Sequence, residues 1–266
     1  MGAHAAAFFD LDKTIIATSS AFAFGKEFMN NGMITRQEAL DLYLTKASYM
    51  LVGQSSEKMD TTRDALAQMV AGWDVEDVRR ITTETMRTVV TPAIYAEARE
   101  LIESHKASGH DVIIISASAS ILVEPIAEEL GVDTVVASEM EIVDGRLTGE
   151  VTRYLKGDAK ADAVRKFAAD HGYDLAASYA YSDSATDVPM LELVGNPVAV
   201  NPDRALRKHA EQHGWKIRTF KNPEPLIQMP NAREVGIGAG VLAGVAAVAF
   251  AGVLVGRAIK RDKRSA

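Results

Sequence analysis

Ala5-Ala6-Ala7-Phe8-Phe9-Asp10-Leu11-Asp12-Lys13-Thr14 runs from an apolar stretch straight into an acidic turn, and the rest of the chain is organised around it. An apolar run cut off by a carboxylate predicts a short strand, buried on both faces, that ends in a polar loop. Two later fragments repeat the design: Asp111-Val112-Ile113-Ile114-Ile115 ends at Ser116, and Ser178-Tyr179-Ala180-Tyr181 leads to Asp183-Ser184-Ala185-Thr186-Asp187. Further strands are expected at Thr134 to Ala137, Pro197 to Val200 and Lys216 to Phe220. Helical spacing separates them at Pro92 to Lys106, Ser120 to Leu130, Ala159 to His171, Val188 to Leu193 and Arg204 to His213. Such alternation predicts the α/β class, a doubly wound parallel sheet with helices on both faces.

Two segments depart from the alternation. Glu139 to Val151 alternates polar and apolar residues around Asp144-Gly145 and predicts a β-hairpin. Ser19 to Thr91 follows helical spacing without a strand, with caps expected at Thr35, Asp60 and Asp74, and so predicts an inserted helical cap. The expected organisation is a core of residues 1–18 and 92–222, a cap of residues 19–91, a linker at 223–234 marked by Pro223, Pro225 and Pro230, and a tail.

In the tail, Val235 to Gly256 is 22 residues without a charge, bounded by Glu234 and Arg257, which predicts a transmembrane helix. It implies a single-pass C-terminal anchor in membrane lipid, with the catalytic domain on the cytoplasmic side and Arg257 to Ala266 as a basic end. Gly236, Gly240 and Gly244, then Gly252 and Gly256, would let a second helix approach closely, so self-association is expected. The same spacing does not make a dinucleotide fingerprint, because no strand precedes it. Met1 to Ala7 lacks the basic region of a signal peptide.

The net charge of -7 is unevenly placed: with the basic end set apart, the preceding 256 residues hold -11. An acidic body argues against nucleic-acid binding. The absence of cysteine excludes disulfides and thiolate chemistry and points any metal towards oxygen ligands.

Taken together, the polar strand ends carry the parts needed to move a phosphoryl group: a nucleophile, a proton donor, a divalent cation and fixed donors for the non-bridging oxygens. Asp10 is the candidate nucleophile, since a carboxylate can take up the group as an acyl phosphate. Asp12, kept protonated by crowded negative charge, is the candidate acid/base. Asp183 and Asp187, at i and i+4, would share one side of a helix's first turn, and with Asp10 make a hard oxygen site suited to Mg²⁺. Ser116 and the backbone N–H at Ala117 would hold a phosphate oxygen. Lys160, at a helix N-terminus where a cation is disfavoured, calls for an anionic partner. His209 and His213 share a helix face but read as surface residues, and Tyr43, Tyr49, Met50 and Met59 as cap packing.

In the order and spacing of these fragments the chain resembles the haloacid dehalogenase superfamily, in the subgroup that includes phosphoserine phosphatase, over Ala5 to Phe220. The resemblance implies that Asp10 is the nucleophile and a Mg²⁺ ligand, and that Asp12 is the acid/base and offers its backbone carbonyl to the metal. It implies that Ser116 and Lys160 hold phosphate, that Asp183 is a direct metal ligand and that Asp187 is a supporting acid. A helical cap after the first motif belongs to the same subgroup. The expected activity is Mg²⁺-dependent hydrolysis of a phosphate monoester, either a small soluble ester or a phospholipid headgroup phosphate. Phosphoserine hydrolysis, a phosphomutase and a membrane-bound regulatory protein are the alternatives. Phosphoserine phosphatases usually follow the serine of the second motif with Gly-Gly, where this chain has Ala117-Ser118. They also place an acid shortly after the first motif, where this chain has none between Asp12 and Glu27.

Overall fold

A computed structural model describes residues 4–35, 38 and 64–223. All of them lie in one unit, Met1–Leu226. Seven strands form one sheet in the order β4-β3-β2-β1-β5-β6-β7. The strands are β1 Ala6–Phe9, β2 Asp111–Ala119, β3 Thr134–Val143, β4 Arg146–Arg153, β5 Tyr179–Ser182, β6 Asn196–Val200 and β7 Lys216–Arg218. Every neighbouring pair is parallel except β3 with β4.

The central position of β1 follows from its composition. All four of its residues are buried, and they alternate between two cores: Ala6 and Phe8 face one, Ala7 and Phe9 the other. In β2, Ile113 pairs with Phe8 and Ile114 with Phe9, and each joins its partner's core. Two continuous apolar layers result, one on each face of the sheet, as a doubly wound fold requires.

Seven helices are described: α1 Ser20–Asn30, α2 Val75–Thr85, α3 Ala96–Ala107, α4 Ser120–Glu129, α5 Asp158–His171, α6 Val188–Leu191 and α7 Arg204–His213. Residues 64–69 are also helical. Between α1 and α3 the described residues are helices joined by turns, and none of them lies in a named strand. Thr35 and Glu38 form a reciprocal cap, with Thr35 N donating to Glu38 Oε2 at 2.8 Å and Glu38 N to Thr35 Oγ1 at 3.3 Å. Asp74 caps α2 by accepting from Glu76 N at 3.0 Å. The insertion is stitched to the hairpin of β3 and β4 by Gly72 N to Leu147 O at 2.7 Å and Leu147 N to Trp73 O at 3.0 Å. Gly149, with φ of 88°, admits this approach. A Cβ there would stand 3.0 Å from Ala71 Cβ and 3.1 Å from Ala67 O.

The expected single-pass C-terminal anchor, and with it the membrane localisation, is corrected. Among the described residues no helix is long and apolar enough to cross a membrane. Residues 235–256 lie outside the described residues, as do Tyr43, Tyr49, Met50, Met59, the Asp60 cap and nearly all of the proline linker.

Candidate active site

Asp10 and Asp183 lie just past the carboxyl ends of β1 and β5, and Ser116 lies where the regular pairing of β2 with β3 breaks off; the three strands are neighbours at the centre of the sheet. That end of an open α/β sheet is where ligands collect. Asp10 N donates to Tyr181 O at 2.9 Å, continuing the ladder one residue past β1. The chain then turns sharply. Lys13 takes φ of 61°, a left-handed conformation that costs a non-glycine residue roughly 1–3 kcal/mol and tends to be kept at functional sites.

The centre of the site is a buried triad of charges. Lys160 is 2% exposed, and its Nζ donates to Asp10 Oδ1 at 2.6 Å and to Asp187 Oδ2 at 2.7 Å. Ser182 Oγ also donates to Asp187 Oδ2, at 2.7 Å. Among the described residues Asp10 Oδ2 receives only a long 3.3 Å bond from Thr14 Oγ1, which leaves it the freer oxygen. Burial works against the Lys160 charge, but the two carboxylates outweigh it and hold the amine protonated well above its ordinary range. Burial drives the Asp10 carboxyl upward; Lys160 opposes this, and Asp187 and Asp12 add to it.

Asp12 sits beside the triad in a separate network. Its Oδ1 accepts from Ser20 N at 2.9 Å, at the start of α1, and its Oδ2 accepts from Ser118 Oγ at 2.9 Å, in β2. Ser20 Oγ in turn donates to Ser118 Oγ at 2.8 Å. Burial raises the Asp12 pKa, while the bonds from Ser20 and Ser118 pull it down. A hydroxyl both donates and accepts, so Ser118 can serve Asp12 with or without its proton.

Ser116 is 1% exposed and its Oγ accepts from Ser118 N at 3.1 Å. The carbonyl of Ala117 accepts from Ser138 Oγ at 2.8 Å, which fixes the irregular stretch of β2 between Ser116 and Ala119.

Asp183 and Asp187 do not share the first turn of an α-helix as expected. Ser184 is the cap, its Oγ accepting from Thr186 N at 3.3 Å, and Ala185–Asp187 is a 3₁₀ turn ahead of the single-turn α6. The two carboxylates therefore diverge in role: Asp187 goes to Lys160 and Ser182, while the Asp183 carboxylate makes no hydrogen bond among the described residues. Burial raises the Asp183 pKa and the Asp10 charge adds to it, with Lys13 opposing.

Asp10 and Asp183 repel one another in a largely buried site, and Asp183 lacks a donor among the described residues. A hard divalent cation relieves both conditions, so the donor set fits Mg²⁺. Among the described residues no three His, Asp or Glu side chains converge as a ready-made metal cluster. Two carboxylates are nevertheless the usual protein share for Mg²⁺, which keeps several waters.

Several functional side chains escape the sequence reading. Ser20 and Ser118 hold Asp12 in place and Ser182 holds Asp187, yet a serine near a strand or helix end carries no signal beyond capping. Their partners lie up to 106 residues away. His209 and His213 stack on each other with ring centroids 4.0 Å apart, and His209 Nε2 lies 3.3 Å from Glu192 Oε1, remote from the acidic triad.

The comparisons with known proteins agree with this geometry. The chain is 46% identical over 254 residues to a probable phosphatase of Mycobacterium tuberculosis, covering 94% of this chain and 88% of that one. It is 37% identical over 247 residues to a protein of the same organism named phosphoserine phosphatase, covering 91% of this chain and 80% of that one. A solved structure of a Bordetella pertussis protein of unknown function superposes with a TM-score of 0.72 at 26% identity, covering 85% of this chain and all of that one. The model of the haloacid dehalogenase-like hydrolases matches residues 7–192, which contain every acid, hydroxyl and amine of the site, and it is to that family that this chain belongs.

Proposed function

We propose that this chain is a Mg²⁺-dependent phosphatase that hydrolyses a small phosphate monoester through an aspartyl phosphate on Asp10. The observation that carries the proposal is the pairing of Asp10 with Lys160 beside an independently held Asp12. Lys160 fixes one oxygen of Asp10 and leaves Oδ2 as the nucleophile. Asp12 gives its proton to the leaving oxygen as the ester bond breaks, then takes a proton from the water that attacks the aspartyl phosphate. Ser116 and Lys160 lie where they would hold the non-bridging oxygens, and Asp187 keeps Lys160 oriented. Mg²⁺ held by Asp10, Asp183 and the Asp12 carbonyl would neutralise charge on the transferring group. The names of the relatives support a phosphatase.

Phosphoserine is a second reading, carried by the name of the relative at 37% identity. Against it, no acid occurs from Lys13 to Lys26, and Ser20 is already committed to Asp12, so a substrate ammonium lacks a partner there. The lipid-headgroup alternative depended on the C-terminal anchor and goes with it.

The test is phosphate release from a panel of soluble monoesters that includes phosphoserine, with Mg²⁺ and with EDTA. Release should require Mg²⁺, and Asp10→Asn should lower it by several orders of magnitude in a variant shown to be folded by its circular dichroism. Near-wild-type turnover in Asp10→Asn would overturn the covalent mechanism.

A further inference from the structure

On the α3 face of the sheet, towards the amino ends of β5, β6 and β7, lies a concave groove of about 780 Å³. It opens away from the strand ends that hold the acids. Its volume is that of a small-molecule site. Its chemistry is the reverse of the body around it: in a chain of net charge -7, no aspartate or glutamate lines it, while Lys216 and Arg218 of β7 and His110 and His213 do. Arg218 is half-buried, and its guanidinium makes no ion pair or hydrogen bond among the described residues. Its charge is nevertheless felt by both His105 and Tyr181 on the groove wall.

The wall opposite the cations is aromatic. Tyr179 stacks on His110 with centroids 5.5 Å apart and an interplanar angle of 27°, and Tyr181 lies parallel to Tyr179 at 5°. These rings are held rather than loose. Tyr181 stacks on Phe9 at 4.3 Å, its hydroxyl meets His105 Nε2 at 2.7 Å, and His105 Nδ1 meets His110 Nδ1 at 2.9 Å. His110 Nδ1 is thus occupied, while its Nε2 makes no hydrogen bond among the described residues. Trp215 adds an indole at the far rim.

An unpaired guanidinium beside a second cation suits a phosphate, because a rigid fork of donors matches its oxygens. Ordered tyrosine and histidine faces suit a flat ring. We propose that this groove is a second ligand site, for a mononucleotide-type anion. Its phosphate would lie on Arg218 and Lys216 and its base against Tyr179 and His110. The proposal does not rest on the phosphatase reading.

The chain has two tryptophans, Trp73 in the insertion and Trp215 in the groove, so their indole N–H resonances report separately on the full-length protein. Titration with AMP in EDTA should shift the Trp215 signal and leave Trp73 in place. Adenosine and inorganic phosphate should each bind at least tenfold more weakly than AMP. Arg218→Gln should weaken AMP binding about tenfold or more, as expected for loss of a charge-assisted contact. Lys216→Gln, at an exposed position, should weaken it less. Both variants should keep wild-type turnover of p-nitrophenyl phosphate. An unmoved Trp215 signal, equal affinity for adenosine and AMP, or undiminished affinity in both variants would overturn the site.

Discussion

Replacing Lys160 by methionine keeps the length of the side chain and removes its charge and three donors. In the folded protein Nζ stands 2.6 Å from Asp10 and 2.7 Å from Asp187, with all three side chains at most 9% exposed. The variant therefore keeps two carboxylates in the interior without their cation. Removing one partner of a buried ion pair costs about 3–5 kcal/mol, because the uncompensated charge cannot return to water. For a domain of this size each kcal/mol moves the thermal midpoint by about 2–4 °C, so a fall of roughly 6–20 °C is expected at pH 8 in EDTA. The pH dependence has a definite sign. Without Lys160 the main group opposing burial at Asp10 is gone, so the Asp10 carboxyl has a folded-state pKa above its unfolded one. The folded variant then binds protons more readily than the unfolded chain and gains stability as pH falls. The difference between wild type and variant should be widest at pH 8 and shrink towards pH 5. Scanning calorimetry across that range is the assay. A midpoint within 2 °C of wild type at pH 8, or a difference that widens on acidification, would refute the buried triad.

Three further perturbations follow from the geometry. Ser118→Ala removes the hydroxyl that holds Asp12 Oδ2 at 2.9 Å, a bond to a charged group worth about 1.5–3 kcal/mol; kcat/KM for an alkyl phosphate should fall about 10- to 100-fold, and less for p-nitrophenyl phosphate, whose leaving group needs little protonation. Equal losses on the two esters would detach Ser118 from acid catalysis. Asp183→Asn should raise the Mg²⁺ concentration for half-maximal activity more than Asp187→Asn does, because the Asp183 carboxylate is free for an ion while Asp187 is committed to Lys160; a metal titration of both variants decides this. Burial holds the His105 imidazole down to about 4, with His110 and Arg218 adding to the effect. The unfolded chain takes up that proton near pH 6.5, so the contribution of His105 is complete above pH 6.5 and is lost as pH falls towards 4. Urea midpoints should decline with acid less steeply in His105→Gln than in wild type, and parallel curves would dismiss the effect.

The fold was legible where local and tertiary preferences coincide. The helix expected at Arg204 to His213 is found at those bounds, because Asp203 caps it through Leu206 N at 2.7 Å and Gly214 ends it in a left-handed turn. The first strand was equally plain, since four apolar residues before a carboxylate leave little alternative in a chain of this size. Errors arose where a tertiary contact overrules local pattern. Pro92 was read as opening a helix, yet α3 starts at Ala96, because Ile94 bridges Ile16 and Tyr95 N donates to Ile15 O, holding that stretch extended. The strand expected at Thr134 to Ala137 and the first arm of the hairpin expected after it are one continuous strand, β3, because Ser138 between them is buried and bonded to Ala117 O and Leu155 N.

For the site, the residues could be named in advance but not their partners, and the reason is distance along the chain. Asp10 and Lys160 are 150 residues apart, and Asp12 and Ser118 are 106 apart. Lys160 was anomalous by itself, a cation at a helix N-terminus, and that anomaly is resolved by two carboxylates on other elements. Ser118 is the more instructive case. As a sequence it was only a departure from the Gly-Gly of phosphoserine phosphatases, and it counted against a substrate. In the fold it reaches Asp12 and is reached by Ser20, so it joins β2 to the first helix of the insertion through the acid/base itself. A glycine has no side chain with which to do this. The substitution thus couples the position of α1 to the orientation of Asp12, and any movement of that helix on substrate entry would be felt first at the proton donor.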